Sequence, residues 1–288
     1  LIGALDPVAE TQLQFLDGEQ PAASDDLAGQ HDGFLSHGIL RNGHAGIITV
    51  FSRHTAPRIV TAPEPAMPLL PWNTIDTVLL DMDGTLLDLH FDNHFWLEHL
   101  PQRYAERHGI SRAMADRELQ PLFARHAGQL AWYCLDFWTR ELDLPIVELK
   151  REVAHLISLR PDADVFLDAL RRAGKRVALI TNAHRDSLSL KLERVALAQH
   201  FDRLISSHDY GFPKEDARFW AALQADFGFE PQRTLFIDDS LPILRSARSH
   251  GIAHLLAVRQ PDSRQGARDT GEFAAQEDYR ALLEGLQP

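Results

Sequence analysis

Two aspartates one residue apart, Asp81 and Asp83, close the apolar run Thr77-Val78-Leu79-Leu80 and are followed at once by Gly84 and Thr85. A buried strand that stops abruptly on carboxylates and a glycine turn delivers reactive groups to a loop at its carboxyl end. One such carboxylate can attack phosphorus as a nucleophile, and its neighbour can give a proton to the leaving oxygen and later take one from water. Calcium loops contain the same letters, but the spacing does not fit them. With Gly84 at the sixth loop position, the first falls on Leu79 and the twelfth on His90, and neither is a carboxylate. A solvated turn after a strand is the plain alternative for this pentapeptide alone. The remainder of the chain argues against it.

Three further places carry polar residues where an apolar run ends or a helix begins. Thr181 and Asn182 follow the strand 176–180, Asp238 and Asp239 follow the strand 234–237, and Lys214 lies in the loop Gly211-Phe212-Pro213-Lys214-Glu215-Asp216. Four carboxylates converging in a low-dielectric cleft repel one another, so a cation is expected among them. Hard oxygen donors backed by substrate oxygens suit Mg²⁺. In phosphoryl transfer, Asp81 would form an aspartyl-phosphate and Asp83 would serve as acid and then base. Thr181 and Asn182 would hold phosphate oxygens, with Thr85 and backbone N–H groups near Gly84 on the substrate side. Lys214 would pair with both the phosphate and Asp81.

The elements needed to position these groups are legible as patterns. From Leu89 to about Ser158 the period is helical: Phe91 to Leu100 before Pro101, Ala113 to His126 with a kink at Pro121, Leu130 to Leu142, and Ile146 to Ile157 after the break Asp143-Leu144-Pro145. Four helices inserted between the first strand and the second form a helical lid. Beyond Pro161, helices at 164–173, 186–197 and 216–226 and one ending at Ser249 alternate with strands at 176–180, 204–207, 234–237 and 253–258. Near-continuous apolar strands alternating with helices give a doubly wound parallel α/β sheet covered on both faces, with the ligand outside the carboxyl ends of the strands. The expected division is 71–88 plus 159–288 as the α/β core, 89–158 as the cap, and 1–70 as a poorly ordered extension or the product of a misplaced start, since Met67 stands just ahead of the first strand. Within 1–70 only 46–51 reads as a strand, and the Pro-rich passage 57–71 reads as a linker.

The totals bound the partners. The chain has 288 residues, 44% hydrophobic and 24% charged, enough for a full core. With 41 acidic against 29 basic residues the net charge is -12, which argues against nucleic acid and anionic membranes as partners. The single cysteine, Cys134, makes no internal disulfide and fits a reducing cytoplasm; its plain reading is a small buried apolar group. No apolar run approaches the ~18 residues of a membrane helix, and the acidic N-terminal stretch lacks the pattern of a signal peptide. A cytoplasmic protein acting on a small-molecule phosphoester is expected, and the sequence is silent on its oligomeric state.

The ordered set Asp81-Met82-Asp83-Gly84-Thr85, Thr181, Lys214 and Asp238-Asp239 resembles the haloacid dehalogenase (HAD) superfamily in its phosphatase branch. The resemblance implies that Asp81, the backbone carbonyl of Asp83 and Asp239 bind Mg²⁺, with Asp238 acting through water, and that the helical insertion is the family's C1 cap. Longer strings, including Trp132-Tyr133-Cys134-Leu135-Asp136 and Thr181-Asn182-Ala183-His184, are similar to bacterial GMP/IMP nucleotidases, which implies hydrolysis of purine nucleoside 5'-monophosphates. Three other readings share the residues: a phosphatase for a sugar phosphate, a phosphomutase, and a non-catalytic binder of a phosphorylated metabolite. The intact nucleophile argues against the last.

The cap is rich in aromatic residues, among them Phe91, Phe95, Trp96, Trp132, Tyr133, Phe137 and Trp138. Asn93, Trp132 and Asp136 are the candidates for reading a purine, against the plainer reading of helically spaced aromatics as cap core. His90 and His94 are four apart without the glutamate of a zinc protease. His184 and His208 follow strand ends and could touch phosphate or simply be surface residues.

Overall fold

The computed structural model describes residues 70–276 and 278–287; the expected strand at 46–51 and the assignment of the first 69 residues lie outside them. Six parallel strands make one sheet: β1 (Thr77–Leu80), β2 (Arg176–Thr181), β3 (Arg203–Ser206), β4 (Thr234–Asp238), β5 (His254–Val258) and β6 (Ala274–Gln276). Their order is β3-β2-β1-β4-β5-β6, so β1 lies in the middle, with Leu80 paired to Leu179 on one side and to Ile237 on the other. The chain reverses its direction of winding across β1, and ligands of doubly wound sheets bind at such a switch point.

Alternation along each strand splits the core in two. Val78, Leu80, Val177, Leu179, Leu235 and Ile237 pack on one face, and Leu79, Ala178, Ile180 and Phe236 on the other. The first face is covered by α7 (Ala163–Arg172) and α8 (Arg185–Arg194), through Phe166, Leu167, Leu170, Leu188 and Leu190. The second is covered by α9 (Ala217–Phe227) and α10 (Leu241–His250), through Phe219, Trp220, Leu223, Ile243 and Leu244. Each such side chain contributes roughly 1.5–3 kcal/mol on leaving water, which is why β1, buried at every position and apolar from Val78 to Leu80, takes the centre. The sixth strand was not expected from sequence. Ala274-Ala275-Gln276 has no β-branched or aromatic residue, and its strand character comes from pairing with Leu256 to Val258.

Between β1 and β2 run α1 (His90–His94), a π-helical turn (Phe95–His99), α2 (Leu100–His108), α3 (Arg112–His126), α4 (Leu130–Tyr133), α5 (Leu135–Leu142) and α6 (Ile146–Glu152). Two expectations are corrected here. Pro101 does not end the first helix, because the wider turn of Phe95–His99 precedes it and Pro101 occupies the opening turn of α2, where a missing N–H costs little. The expected helix over 130–142 breaks at Cys134, whose backbone is extended, φ -87° and ψ 108°. Trp96, Phe123, Trp132 and Trp138 pack edge-to-face or stacked at centroid distances of 5.3–5.8 Å, and Trp138 is fully buried. No helix among the described residues is long and apolar enough to cross a membrane.

Candidate active site

The carboxyl ends of β1, β2 and β4 open into a cleft with about 810 Å³ of empty volume, walled on the far side by the inserted helices. Because the three strands pair in register, their ends arrive together: Asp81 after β1 level with Asp238 at the end of β4, Thr181 one residue further along at the end of β2, and Asp239 following Asp238.

Lys214 holds the first cluster together. Its ammonium, almost wholly buried, donates to Asp81 Oδ1 at 2.5 Å and to Asp238 Oδ2 at 2.7 Å. Burial works against its charged form, but the two carboxylates outweigh that and hold the ammonium above its ordinary value. Asp238 uses its other oxygen to accept from Ser240 N at 2.8 Å, so both of its oxygens are engaged by the protein. Asp81 is different: Oδ2 is buried with no hydrogen-bond partner. Burial pushes the Asp81 carboxyl up to about 7, with Lys214 opposing and the charges of Asp238 and Asp239 adding. Arg268, from the loop after β5, donates to Asp239 Oδ2 at 2.6 Å and to the Asp239 carbonyl at 3.0 Å.

A second cluster extends from Asp83. Its carboxylate pairs with Lys191 on α8 at 2.6 Å; Lys191 also donates to Asp92 at 2.7 Å, and Asp92 accepts from Lys150 on α6 at 2.8 Å. The ammonium of Lys150 also lies over the Phe91 and Phe95 rings, 4.8 and 4.5 Å from their centroids. Burial disfavours the Asp92 charge, yet Lys150 and Lys191 together bring its carboxyl down to about 2. Burial raises Asp83 to about 7 against the pull of Lys191, with Asp92 and Asp81 adding to the rise. Neither Lys150 nor Lys191 carries a signal in the sequence, since a lysine on a helix reads as a solvated face until the fold buries it. Lys191→Met keeps the length of the side chain and leaves Asp83 and Asp92 sharing one cation. A loss of about 3 kcal/mol in urea unfolding is expected, as for other broken buried pairs. A loss under about 0.5 kcal/mol, the size of an ordinary surface change, would mean that the pair is not the stabilising feature it is taken for here.

These cations change the electrostatic argument. Repulsion among the carboxylates does not by itself require a metal, because Lys214, Lys191 and Arg268 already lie against them. The case for a cation site rests on three observations instead. Oxygens of Asp81, Asp238 and Asp239 lie within 4.8 Å of one another, and Asp81 Oδ2 has no partner. Gly84, at φ +80°, keeps the space against this trio open, since a Cβ there would come within 2.6 Å of Asp239 Oδ2. An all-oxygen set of this kind fits Mg²⁺. The Asp83 side chain stands apart from the trio.

Of the substrate-side residues, Asn182, Asn93 and Trp132 line the cleft, as does Thr181. Thr181 Oγ1 accepts from Ala183 N at 3.0 Å. Asn182 is spent on shape: Oδ1 accepts from Lys214 N at 2.9 Å, and Nδ2 donates to Glu215, which also accepts from the Tyr133 hydroxyl. Asn93 donates to Asp262 Oδ2 at 2.7 Å. Two expectations do not place residues in the lining. Thr85 is fully buried beneath the turn, its carbonyl accepting from the Tyr279 hydroxyl at 2.7 Å, because the positive φ of Gly84 turns the chain back into the core. Asp136 is largely exposed at the rim, 3.8 Å from His184 Nε2, while its neighbour Leu135 at the start of α5 faces the cleft.

Comparison with known proteins adds to this geometry. Residues 75–251 match the haloacid dehalogenase-like hydrolase family. The chain is 42% identical over 217 residues to the GMP/IMP nucleotidase YrfG of Escherichia coli, covering 75% of this chain and 98% of that protein. It is 34% identical over 95 residues to a phosphoserine phosphatase of Thermus thermophilus, covering 33% of this chain and 38% of that one. A HAD phosphatase from Thermococcus onnurineus shares the fold with a TM-score of 0.63 at 24% identity, over 74% of this chain and 99% of that one.

Proposed function

The chain belongs to the haloacid dehalogenase-like hydrolases, as an enzyme that hydrolyses phosphoric monoesters, and on that premise we propose that it cleaves purine nucleoside 5'-monophosphates, GMP and IMP, through an aspartyl-phosphate at Asp81. The observation that carries the mechanism is the asymmetry of Asp81, with one oxygen fixed by Lys214 and the other bare at the cleft. A carboxylate held in this way has lost its rotational freedom while keeping a free electron pair for phosphorus. The substrate rests on the likeness to a relative described as a GMP/IMP nucleotidase.

In the first step Asp81 Oδ2 attacks phosphorus, the bond from phosphorus to the 5'-oxygen breaks, and that oxygen takes its proton from Asp83 and leaves as the nucleoside alcohol. Burial holds the Asp83 carboxyl above the usual carboxylate range against the pull of Lys191, which favours its keeping that proton. Lys191 is a positioning residue here, holding the Asp83 carboxyl beside the cleft without occupying it. In the second step Asp83, now a carboxylate, takes a proton from water; the water oxygen attacks phosphorus, and Asp81 is released with inorganic phosphate. Thr181 and Lys214 hold the phosphate oxygens throughout. Mg²⁺ would be held by Asp81, the Asp83 carbonyl and Asp239, with Asp238 behind them, and would supply charge neutralisation for the transferring oxygens. The inserted helices act as the cap, and Trp132 and Asn93 on its wall give a purine one aromatic surface and one polar edge.

Phosphate release from GMP, IMP, AMP, pyrimidine monophosphates and sugar phosphates tests this reading. Release is expected from GMP and IMP well above the others, lost in EDTA and restored by Mg²⁺. Release spread evenly over sugar phosphates would remove the nucleotidase assignment, and full activity in EDTA would remove the metal.

A further inference from the structure

Beside the cleft, and outside the acidic trio, Cys134, His184 and His208 bring a thiol and two imidazole nitrogens within 4.8 Å of one another. We propose that these three side chains form a second metal site, selective for a borderline transition-metal cation such as Zn²⁺, that ties the inserted helices to the sheet at the rim of the cleft. The donors come from separate elements: Cys134 from the break between α4 and α5, His184 from the loop after β2 at the start of α8, and His208 from the turn after β3.

Three details favour a ligand here over a chance gathering. His208 Nε2 is buried without a hydrogen-bond partner, so no protein group occupies that nitrogen. A buried imidazole nitrogen with no protein partner is what a metal ligand looks like before the ion is bound. The His184 ring is held at the start of α8, its Nδ1 accepting from Asp186 N at 3.4 Å and lying 3.6 Å from the Asp186 carboxylate. The two rings stand edge to face at 5.1 Å, and the exposed Asp136 carboxylate, 3.8 Å from His184 Nε2, is within reach of a fourth position. One sulfur and two imidazoles select Zn²⁺ or Co²⁺ over Mg²⁺, whereas the acidic trio selects the reverse, so the two sites need not compete.

The test is a Co²⁺ titration of the full chain with excess Mg²⁺ present to fill the oxygen site. The expected result is uptake of one equivalent with the near-ultraviolet thiolate-to-cobalt charge-transfer band and the intense visible bands of a tetrahedral ion, all bleached by Zn²⁺. Asp81→Asn should keep the band, Cys134→Ser should lose it, and His208→Ala should weaken Co²⁺ binding by about 100-fold or more, beyond the loss from removing a group that only orients a ligand. Absence of the thiolate band in the wild-type chain, or a band that survives His208→Ala at unchanged affinity, would overturn the site.

Discussion

Asp81→Asn is expected to reduce phosphate release by at least about 10⁴-fold, in the range that losing an essential member of a covalent catalytic set costs other enzymes. The substitution removes the attacking oxygen and changes almost nothing else. Asparagine has the same shape, its carbonyl oxygen can still accept from Lys214, and Lys214 keeps its pair with Asp238 at 2.7 Å. The fold should not suffer. Asp81 is a buried carboxyl whose charge is opposed by burial and by Asp238 and Asp239, so a neutral amide relieves repulsion, and the thermal midpoint is expected at or above that of the wild-type chain. Activity within tenfold of wild type, or a protein that no longer folds, would each contradict this assignment.

Asp83→Asn is expected to lower steady-state turnover of a nucleotide by roughly 10²-fold or more, the usual share of a general acid and base. Its signature is sharper with an aryl phosphate. A nitrophenolate leaves without being protonated, so the first step no longer needs Asp83, but hydrolysis of the aspartyl-phosphate still needs a base. Rapid mixing should then show a burst of about one equivalent of nitrophenol followed by slow release of phosphate. With GMP, whose leaving oxygen must be protonated, the burst should be absent. A variant with full steady-state activity on both substrates would remove Asp83 from the proton transfers.

What the sequence made legible is local. Asp81, Thr181, Lys214 and Asp238 each end a strand or begin a helix within a few residues of an unmistakable pattern, and a parallel sheet brings strand ends together whatever lies between them. Lys191 and Lys150 depend on distance. Lys191 meets Asp92 across 99 positions and Lys150 meets it across 58, and nothing on a helix surface marks a lysine that the fold will bury. Repulsion among the carboxylates calls for a metal only while Lys191 and Arg268, which the sequence does not mark, are left out. Thr85 was placed on the substrate side by its neighbours in the chain, but one positive φ at Gly84 turns it into the core. The aromatic residues of the insert are open to two readings, and Trp96 and Trp132 pack on each other at 5.4 Å while also lining the cleft. The extra strand β6 exists by pairing alone.

On the proposed mechanism phosphate is expected to pass through Asp81 as a covalent intermediate. Acid-quenching the wild-type chain during turnover of GMP labelled in its phosphate, then locating the label by peptide mapping, tests it directly. The expected result is a substoichiometric, base-labile label on the peptide containing Asp81, absent from Asp81→Asn and chased by unlabelled substrate. Turnover proceeding with no protein-bound phosphate at any time, or a label on another residue, would contradict it.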